Sequence, residues 1–455
     1  MSISRRNFLK LTLTSIASSG LFYVKRATAA TSNTLTADVI VIGAGIAGLA
    51  AAAKIQSSGK RVIVLEAQRT IGGRIITDRT LSVPLDLGAS WIHGVNKNPI
   101  NTLATTLKLN KVATDYNSIQ RYDFDGRPIT DAEDSLVDSN YSALMSKVSK
   151  IQRTAKTDQV LGTSIANIIS TKQYSSFEQR ALQYSINTEI EHDYAADINN
   201  LSLKNWDQDS EFSGNDVLLP QGYDQIVNYL STNLDIRLST IVNQIDYRAS
   251  TVSIQTSNGV FTAPKVIVTI PLGVLKTNAV TFTPSLPSAH NTAINRIGMG
   301  VLNKLYLLFP KVFWEPQKQL LGYIGQQKGY WGEWYNYQYY IGKPILLGFN
   351  AASYARTVEA YTDAQTISEA MSVLKTIYGN SIPNPTGYKL TRWAKNPWSF
   401  GSYSYMATGA SGADCDALTV PINNKLFFAG EHTNKQYLGT VHGAYLSGLR
   451  VSSKV

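Results

Sequence analysis

The chain has 455 residues, of which 44% are hydrophobic and 16% charged, enough apolar material for a large core and too much for a disordered chain or a small binding module. One cysteine leaves no disulfide scaffold, zinc ribbon or iron–sulfur cluster to build, while 32 glycines, 25 tyrosines and seven tryptophans point to tight turns beside aromatic-lined space. The formal charge of +10 would suit a nucleic-acid or membrane-surface partner, but Arg5, Arg6, Lys10, Lys25 and Arg26 supply half of it from a stretch that reads as removable, so no nucleic-acid partner is expected.

Residues 4 to 10, SRRNFLK, precede a moderately apolar run from Leu11 to Val24 and the small-residue stretch Ala27 to Ala30. Basic, apolar and small regions in that order read as an export signal over residues 1–30, cleaved near Ala29 or Ala30 and too short in its apolar part to persist as a membrane anchor. Arg5 and Arg6, with Phe8 and Leu9 behind them, resemble the twin-arginine signal. That resemblance implies the twin-arginine export machinery as a partner and a bacterial protein of the periplasm or the extracellular space.

Ala37 to Ile42, ADVIVI, suits a buried parallel strand. It passes directly into Gly43, Ala44, Gly45, Ile46, Ala47 and Gly48 and an alanine-rich segment from Leu49 to Ser57, closed by Gly59. Arg61 to Leu65 supplies a second strand. Gly43 permits the sharp turn, Gly45 removes the side chain that would meet a pyrophosphate, and Gly48 lets the helix pack on the strand. The helix N-terminus then offers backbone donors and a positive dipole end. Glu66 follows, where a carboxylate can accept both hydroxyls of an adenosine ribose and would repel a 2′-phosphate. The whole pattern is a dinucleotide site for FAD or NAD.

Residues 69 to 74, RTIGGR, bear on that choice. Here the chain resembles the flavin-containing amine oxidase family, whose members follow the ribose acid with a glycine–arginine segment lying along the FAD pyrophosphate. Gly72 and Gly73 allow backbone approach, and Arg74 can neutralise phosphate.

Downstream, Asp86 to Gly94 reads as a buried turn returning to the cofactor, and residues 96 to 210 carry several helical patterns. Leu219 to Tyr223 opens a helix reaching Leu230. Val252 to Gln255, a turn at Asn258 and Gly259, and Val266 to Ile270 read as a hairpin followed by another strand. A region rich in β-branched and aromatic residues begins at Leu302. Its stretch from Gly329 to Tyr340 holds two tryptophans and five tyrosines, which read as sheet core, with a substrate tunnel as the alternative for some of them. The expected fold is α/β: a Rossmann-like FAD domain from residues 36–95, 215–298 and 385–450, interleaved with a mixed-sheet and helical substrate domain from 96–214 and 299–384.

The resemblance covers nearly the whole exported chain. It includes GASWIHG at Gly88 to Gly94, LPQGY at Leu219 to Tyr223, NKLY at Asn303 to Tyr306, and the run from Phe428 to Arg450. The blocks LSLKNWDQD, GSYSYMATG and TVHGAYLSGLR lie closest to polyamine oxidases and lysine-specific histone demethylases, with monoamine oxidases less similar. It implies noncovalent FAD, since Cys415 has no matching place beside the flavin's 8-methyl group. The implied contacts are Gly43, Gly45, Gly48, Glu66, Gly73, Arg74, Gly88, Ala89, Ser90, Trp91, Val242, Trp393, Gly430, Glu431, Thr440 and Val441. Among these, Val242 meets adenine through its backbone and Glu431 stands near the ribityl–phosphate portion.

For catalysis the resemblance implies Lys304 holding a water against flavin N5, although spacing alone favours an edge-strand lysine facing solvent. It places Trp393 and Tyr403 at the ring and Thr440 where monoamine oxidases carry a second cage tyrosine, with Tyr437 able to supply a nearby ring. His93 would meet the substrate's distal nitrogens, or be a satisfied loop histidine. Glu189, Glu191, Asp193 and Asp197 read first as a solvated acidic face, and otherwise as a source of a second polar contact.

The implied reaction is oxidation of a polyamine of the spermine or spermidine type, by hydride transfer from an α-carbon to flavin N5. Hydrolysis of the imine then gives amine and aldehyde, and O2 is reduced to H2O2. No metal is required. The alternatives are an L-amino-acid or other primary-amine oxidase, which would need an arginine such as Arg356 or Arg392 for the α-carboxylate, and a flavin-binding protein without turnover. The export signal and the lack of a long coiled-coil insert disfavour a histone demethylase.

Overall fold

A computed structural model describes residues 35–455, and the expected export signal over residues 1–30 lies outside them. The runs Val39–Ile42 and Val62–Leu65 form strands with every residue buried, each aliphatic side chain contributing about 1.5–3 kcal/mol by leaving water. They pair in parallel with Val41 opposite Val64. Around them lies a five-stranded parallel sheet in the order 235–237, 62–65, 39–42, 265–268, 426–428. Because side chains alternate across a strand, Val39, Val41, Val62 and Val64 join a cluster with helix Ile46–Gln56. Ile40, Ile42, Ile63 and Leu65 face the other way, onto Ile254 and Phe261 of a second sheet. Burial on both faces explains why the strands read as continuous apolar runs.

The second sheet runs in the order 35–36, 259–263, 252–256, 242–246, 281–283 and contains the expected hairpin, Val252–Thr256 against Gly259–Ala263. A third, six-stranded mixed sheet runs 387–390, 302–308, 345–351, 333–336, 320–324, 119–123. Strand Gly387–Leu390 pairs antiparallel with Leu302–Leu308, so the expected FAD-domain segment from residue 385 opens with a strand of the other sheet. That strand is short and only half buried, without the apolar run that would announce it. In the aromatic stretch, Trp331, Trp334, Tyr337 and Tyr340 are core.

Helices Asp131–Thr154 and Ser176–Ile186 each begin with a capping box, Thr130 with Glu133 and Ser175 with Glu178. They pack with Leu161–Ile169 around Leu144, Val148, Ile165 and Leu182. The second passes into a π-helical turn, Asn187–Glu191, a local widening often found at functional sites. The architecture is therefore a Rossmann-like sheet interleaved with a mixed-sheet and helical part. Among the described residues no helix is long and apolar enough to cross a membrane.

Candidate active site

Strand Val39–Ile42 ends at Gly43, whose φ of 105° disfavours any side chain, and a Cβ on Gly48 would lie 2.0 Å from Gly43 O. Gly45 has neither constraint. Its φ of −74° and ψ of 173° suit any residue, and a Cβ there would meet nothing nearer than Gly72 O at 4.0 Å. The protein itself does not require glycine at this position, and the space lies at the N-terminus of helix Ile46–Gln56, where backbone donors favour phosphate. Gly73 stands across it, a Cβ there falling 3.5 Å from Gly45 Cα. Glu66 is buried; its Oε2 accepts from Ala44 N at 2.7 Å and its Oε1 from Gln68 N at 2.8 Å, leaving each oxygen a lone pair for a ribose hydroxyl. Val242 is buried at a register shift opposite Thr256, two residues beyond Thr240, whose N–H donates to Glu66 O at 2.8 Å.

A cavity of about 530 Å³ is lined by Arg74, Gly88, Ala89, Ser90, Trp91, His93, Lys304, Trp393, Tyr403, Glu431, Thr440 and Val441, twelve of the expected site residues. The volume is typical of a small-molecule site. Gly43, Gly45, Gly48, Glu66, Gly73, Val242 and Gly430 do not line it. Most of these cluster at the glycine turn, and Gly430 precedes Glu431 with its N–H on Ser447 Oγ at 2.8 Å.

Lys304 is buried, so the solvent-facing reading fails. Its Nζ donates to Asp86 O at 2.9 Å, to Gly88 O at 2.6 Å and to Ser90 Oγ. These three acceptors tie the side chain to the segment from Asp86 to Ser90. Lys304 thereby holds the turn carrying Gly88 to Trp91. Burial pulls its pKa well below the ordinary lysine value, against the pull of Asp86. Burial likewise raises the Asp86 carboxyl, against hydrogen bonds from Thr77 and Tyr223 N. The Lys304 ammonium lies 5.7 Å from the Trp91 ring centre and 5.9 Å from that of Phe349.

A second buried network fixes Trp393. Asn303 Oδ1 accepts from Trp393 N at 2.9 Å and Thr391 Oγ1 at 3.1 Å, while Asn303 Nδ2 donates to Glu359 Oε1 at 2.7 Å. Thr391 Oγ1 in turn accepts from Lys304 N at 2.8 Å, so one network sets the spacing of Lys304 and Trp393.

Arg74 was expected to neutralise phosphate. On the cavity wall it is paired with Glu431, Nη1 to Oε1 at 2.9 Å, and donates to Ser402 O at 2.9 Å. Glu431 also accepts from Ser404 Oγ and Gly439 N. Burial raises its pKa, but Arg74, His432 and the hydrogen bonds outweigh it and hold the carboxyl below its usual range. Thr440 caps helix Val441–Ser452, its Oγ accepting from Gly443 N at 2.9 Å. Tyr437 does not line the cavity; it stacks on Phe212 at 4.8 Å and 14°, and the ring expected from Tyr437 comes from Phe212. Tyr403 does line it, its hydroxyl donating to His192 O.

The acidic cluster divides: Glu189 and Asp193 are exposed, but onto the cavity, whereas Glu191 is buried. Glu189 and Asp193 line the cavity, together with Asp209, Glu211, Asp216 and Glu333. Glu191 is buried and paired with Lys328 at 2.6 Å, and Asp197 accepts from Ser353. Burial first, then Glu189, pushes Asp193 up to about 7; burial takes Asp209 up to about 6. One ring nitrogen of His93 is taken, its Nδ1 lying 2.7 Å from Asp216 Oδ2. Asp216, Tyr116, Glu333, Phe212 and Phe349 had no motif to mark them, whereas Asp209 lay within the block LSLKNWDQD.

The chain resembles several known proteins along nearly its whole described length. It is 35% identical over 439 residues to lysine-specific histone demethylase 1 homolog 2 of Arabidopsis thaliana, covering 92% of this chain and 58% of that protein. It is 33% identical over 431 residues to polyamine oxidase 4 of Oryza sativa subsp. japonica, covering 91% of this chain and 88% of that protein. Polyamine oxidase 2 of Arabidopsis thaliana is 34% identical over 431 residues, with 91% and 87% covered. A solved putrescine oxidase double mutant, redesigned in its cofactor binding, superposes with a TM-score of 0.74 at 17% identity over 92% of this chain and 99% of that one, which shows a shared fold. Residues 46–455 match the model of the flavin containing amine oxidoreductases. The glycine turn, Glu66 and the cavity fit FAD, and Cys415 is buried in an apolar cluster away from the cavity lining, in keeping with the noncovalent binding of that cofactor. The chain belongs to the flavin-containing amine oxidoreductase family.

Proposed function

We propose that the chain is a FAD-dependent oxidase of polyamines of the spermine and spermidine type. The observation that carries this reading is the charge of the cavity wall. Seven carboxylates line it, and six of them, Glu189, Asp193, Asp209, Glu211, Asp216 and Glu333, remain once Glu431 is set against Arg74, while the other arginine that lines it, Arg121, is already paired with Asp134 and Asp138. Crowded carboxylates losing water resist ionisation, and a substrate with several ammonium groups relieves that cost. Two relatives of matching length are named polyamine oxidases, which supports the same reading.

Flavin bound at the glycine turn, Glu66 and the cavity would supply two-electron acceptance for oxidation of the C–N bond of an amine, with O2 as the final acceptor giving H2O2 and water hydrolysing the imine to amine and aldehyde. The carboxylates hold the distal ammonium groups and so fix which C–H bond is presented. Trp91, Phe349, Trp393 and Tyr403 exclude water around the reacting nitrogen. Lys304 holds the Gly88 to Trp91 turn against them.

An amino-acid oxidase is supported less. Arg392 is paired with Asp363 at 2.7 Å, Arg356 donates to Met299 O at 3.4 Å, and neither lines the cavity. Peroxide release from spermine, spermidine, acetylated polyamines, monoamines and L-amino acids tests the reading. The highest kcat/KM is expected with a polyamine, and faster turnover of an L-amino acid would overturn it.

The wall also predicts a pH dependence. Asp209 and Asp193, raised to about 6 and about 7, are neutral below those values and anionic above them, so kcat/KM for spermidine is expected to rise with pH across that window. Asp193→Asn should lower kcat/KM at the top of the window by about 1.5–3 kcal/mol, the value of a hydrogen bond to a charged group, or roughly 10- to 150-fold. A flat wild-type profile would count against the wall as the binding surface.

We further propose export by the twin-arginine route. Replacing Arg5 and Arg6 together by lysine is expected to leave the protein in the cytoplasm of an expressing bacterium. Undiminished protein in the periplasmic or culture fraction would contradict that route.

A further inference from the structure

Asp216 is a carboxylate with three donors converging on it. Its Oδ2 lies 2.7 Å from His93 Nδ1 and accepts from Tyr116 OH at 2.8 Å, and its Oδ1 accepts from Gly94 N at 2.8 Å. Asp216, His93 and Tyr116 come from separate parts of the chain, and all three line the cavity. A carboxylate is an acceptor only. His93 Nδ1 must therefore carry the proton in this pair, and Nε2 is the nitrogen left to gain or lose one. Among the described residues, no hydrogen bond engages Nε2.

We propose that Asp216, held by Tyr116 and the Gly94 amide, is a positioning residue that locks neutral His93 in the Nδ1–H form, so that Nε2 accepts a hydrogen bond from a substrate ammonium remote from the oxidised carbon. The identity of that ligand rests on the polyamine reading, whereas the locked tautomer does not. The interaction is a single N–H···N hydrogen bond in which the proton stays on the substrate.

The surroundings of His93 set when this works. Asp216, Asp193 and Glu211 face it and favour its cation. Tyr116 keeps its proton, because burial and Asp216 push its pKa up. His442, the other nearby histidine, is pushed down to about 4 by burial and stays neutral. Burial alone would lower the His93 pKa, but Asp216 outweighs it and the pKa is raised. Asp216 itself is held below the usual carboxylate range: burial would raise it, and His93, Gly94 and Tyr116 prevail. Below its pKa His93 is a cation that repels an ammonium; above it, His93 is an acceptor. Recognition through His93 therefore switches on as pH rises.

Nitrogen NMR of the histidine-labelled holoenzyme tests this directly, since the chain has only five histidines and His93→Gln assigns the signal. In the wild type, deprotonated His93 should show the Nδ1–H pattern. Asp216→Asn keeps a carbonyl acceptor but removes the charge, so the pattern should persist while the titration midpoint falls by about one pH unit or more. Asp216→Leu should give a mixture of tautomers. With spermidine, the acid limb of kcat/KM should move with the midpoint in Asp216→Asn, while an N-acetylated analogue without the distal charge should show no such movement. An Nε2–H pattern in the wild type, or an unmoved midpoint in Asp216→Asn, would overturn the role of Asp216. With Asp193→Asn and Asp209→Asn in the background, which silences the carboxylates expected to shape the same limb, a midpoint that moves without the acid limb would overturn the contact with substrate. If no polyamine is oxidised, the function reading falls, and the NMR result still decides the tautomer.

Discussion

Gly45→Val is expected to give a folded chain that retains no flavin. The backbone at Gly45 is one that valine adopts freely, and the nearest atom to a Cβ there is Gly72 O at 4.0 Å, so the fold itself has room for the change. The cost to stability is that of a poor helix N-cap, about 1 kcal/mol. The isopropyl group occupies the ground that a pyrophosphate must approach, at the end of helix Ile46–Gln56 where the phosphate-binding donors lie. Flavin absorbance per polypeptide after purification should fall to background while circular dichroism stays that of the parent. Gly48→Val is the contrasting case: a Cβ there lies 2.0 Å from Gly43 O, and the chain should fail to fold. A Gly45→Val protein with a full complement of flavin would contradict the placement of the cofactor.

Lys304→Met is expected to slow turnover by roughly 30- to 1,000-fold, equivalent to about 2–4 kcal/mol, and to lower stability as well. Methionine replaces the alkyl stem but takes the donor from Gly88 O and Ser90 Oγ, each acceptor left unpaired costing about 1–3 kcal/mol, while Asp86 O keeps the Tyr306 hydroxyl at 2.8 Å. The turn they belong to carries Gly88 to Trp91 on the cavity wall, so misplacement reaches the reacting groups. Rapid mixing should separate the anaerobic reduction of the flavin by spermidine from its reoxidation by O2, and thermal denaturation reports the stability. Slowing mainly in reduction fits a misplaced wall, and slowing mainly in reoxidation fits a role toward oxygen. Wild-type values for both steps and for the melting temperature would contradict the network around Lys304.

The parts of this molecule that sequence reveals are those whose physical cause is local. Val39–Ile42 and Val62–Leu65 are buried on both faces and so are apolar throughout, the glycine turn needs glycine for reasons of backbone and contact, and a two-residue turn at Asn258 and Gly259 announces its hairpin. Strand Gly387–Leu390 is half buried and left no such trace. The site is legible where a motif spans it and hidden where distant residues meet. Arg74 finds Glu431 357 residues away, and nothing local to either predicts that the two neutralise each other. Glu189 and Asp193 read as a surface face because the sequence does not show that a π-helical turn beside them opens onto a cavity. Asp216, Glu333 and Tyr116 sit in unremarkable stretches, and only the fold brings them to one wall. Tyr437 was the nearest aromatic in sequence to the helix cap, but it backs Phe212, which arrives from another segment.

The most direct test of polyamine oxidation is whether a polyamine reduces the flavin of this chain. Purified protein mixed anaerobically with excess spermidine should lose its visible flavin absorbance, recover it when O2 is admitted, and release one peroxide for each flavin reoxidised. Flavin that stays oxidised with spermidine, spermine and their acetylated forms, yet bleaches with an L-amino acid or with none of these amines, would contradict polyamine oxidation.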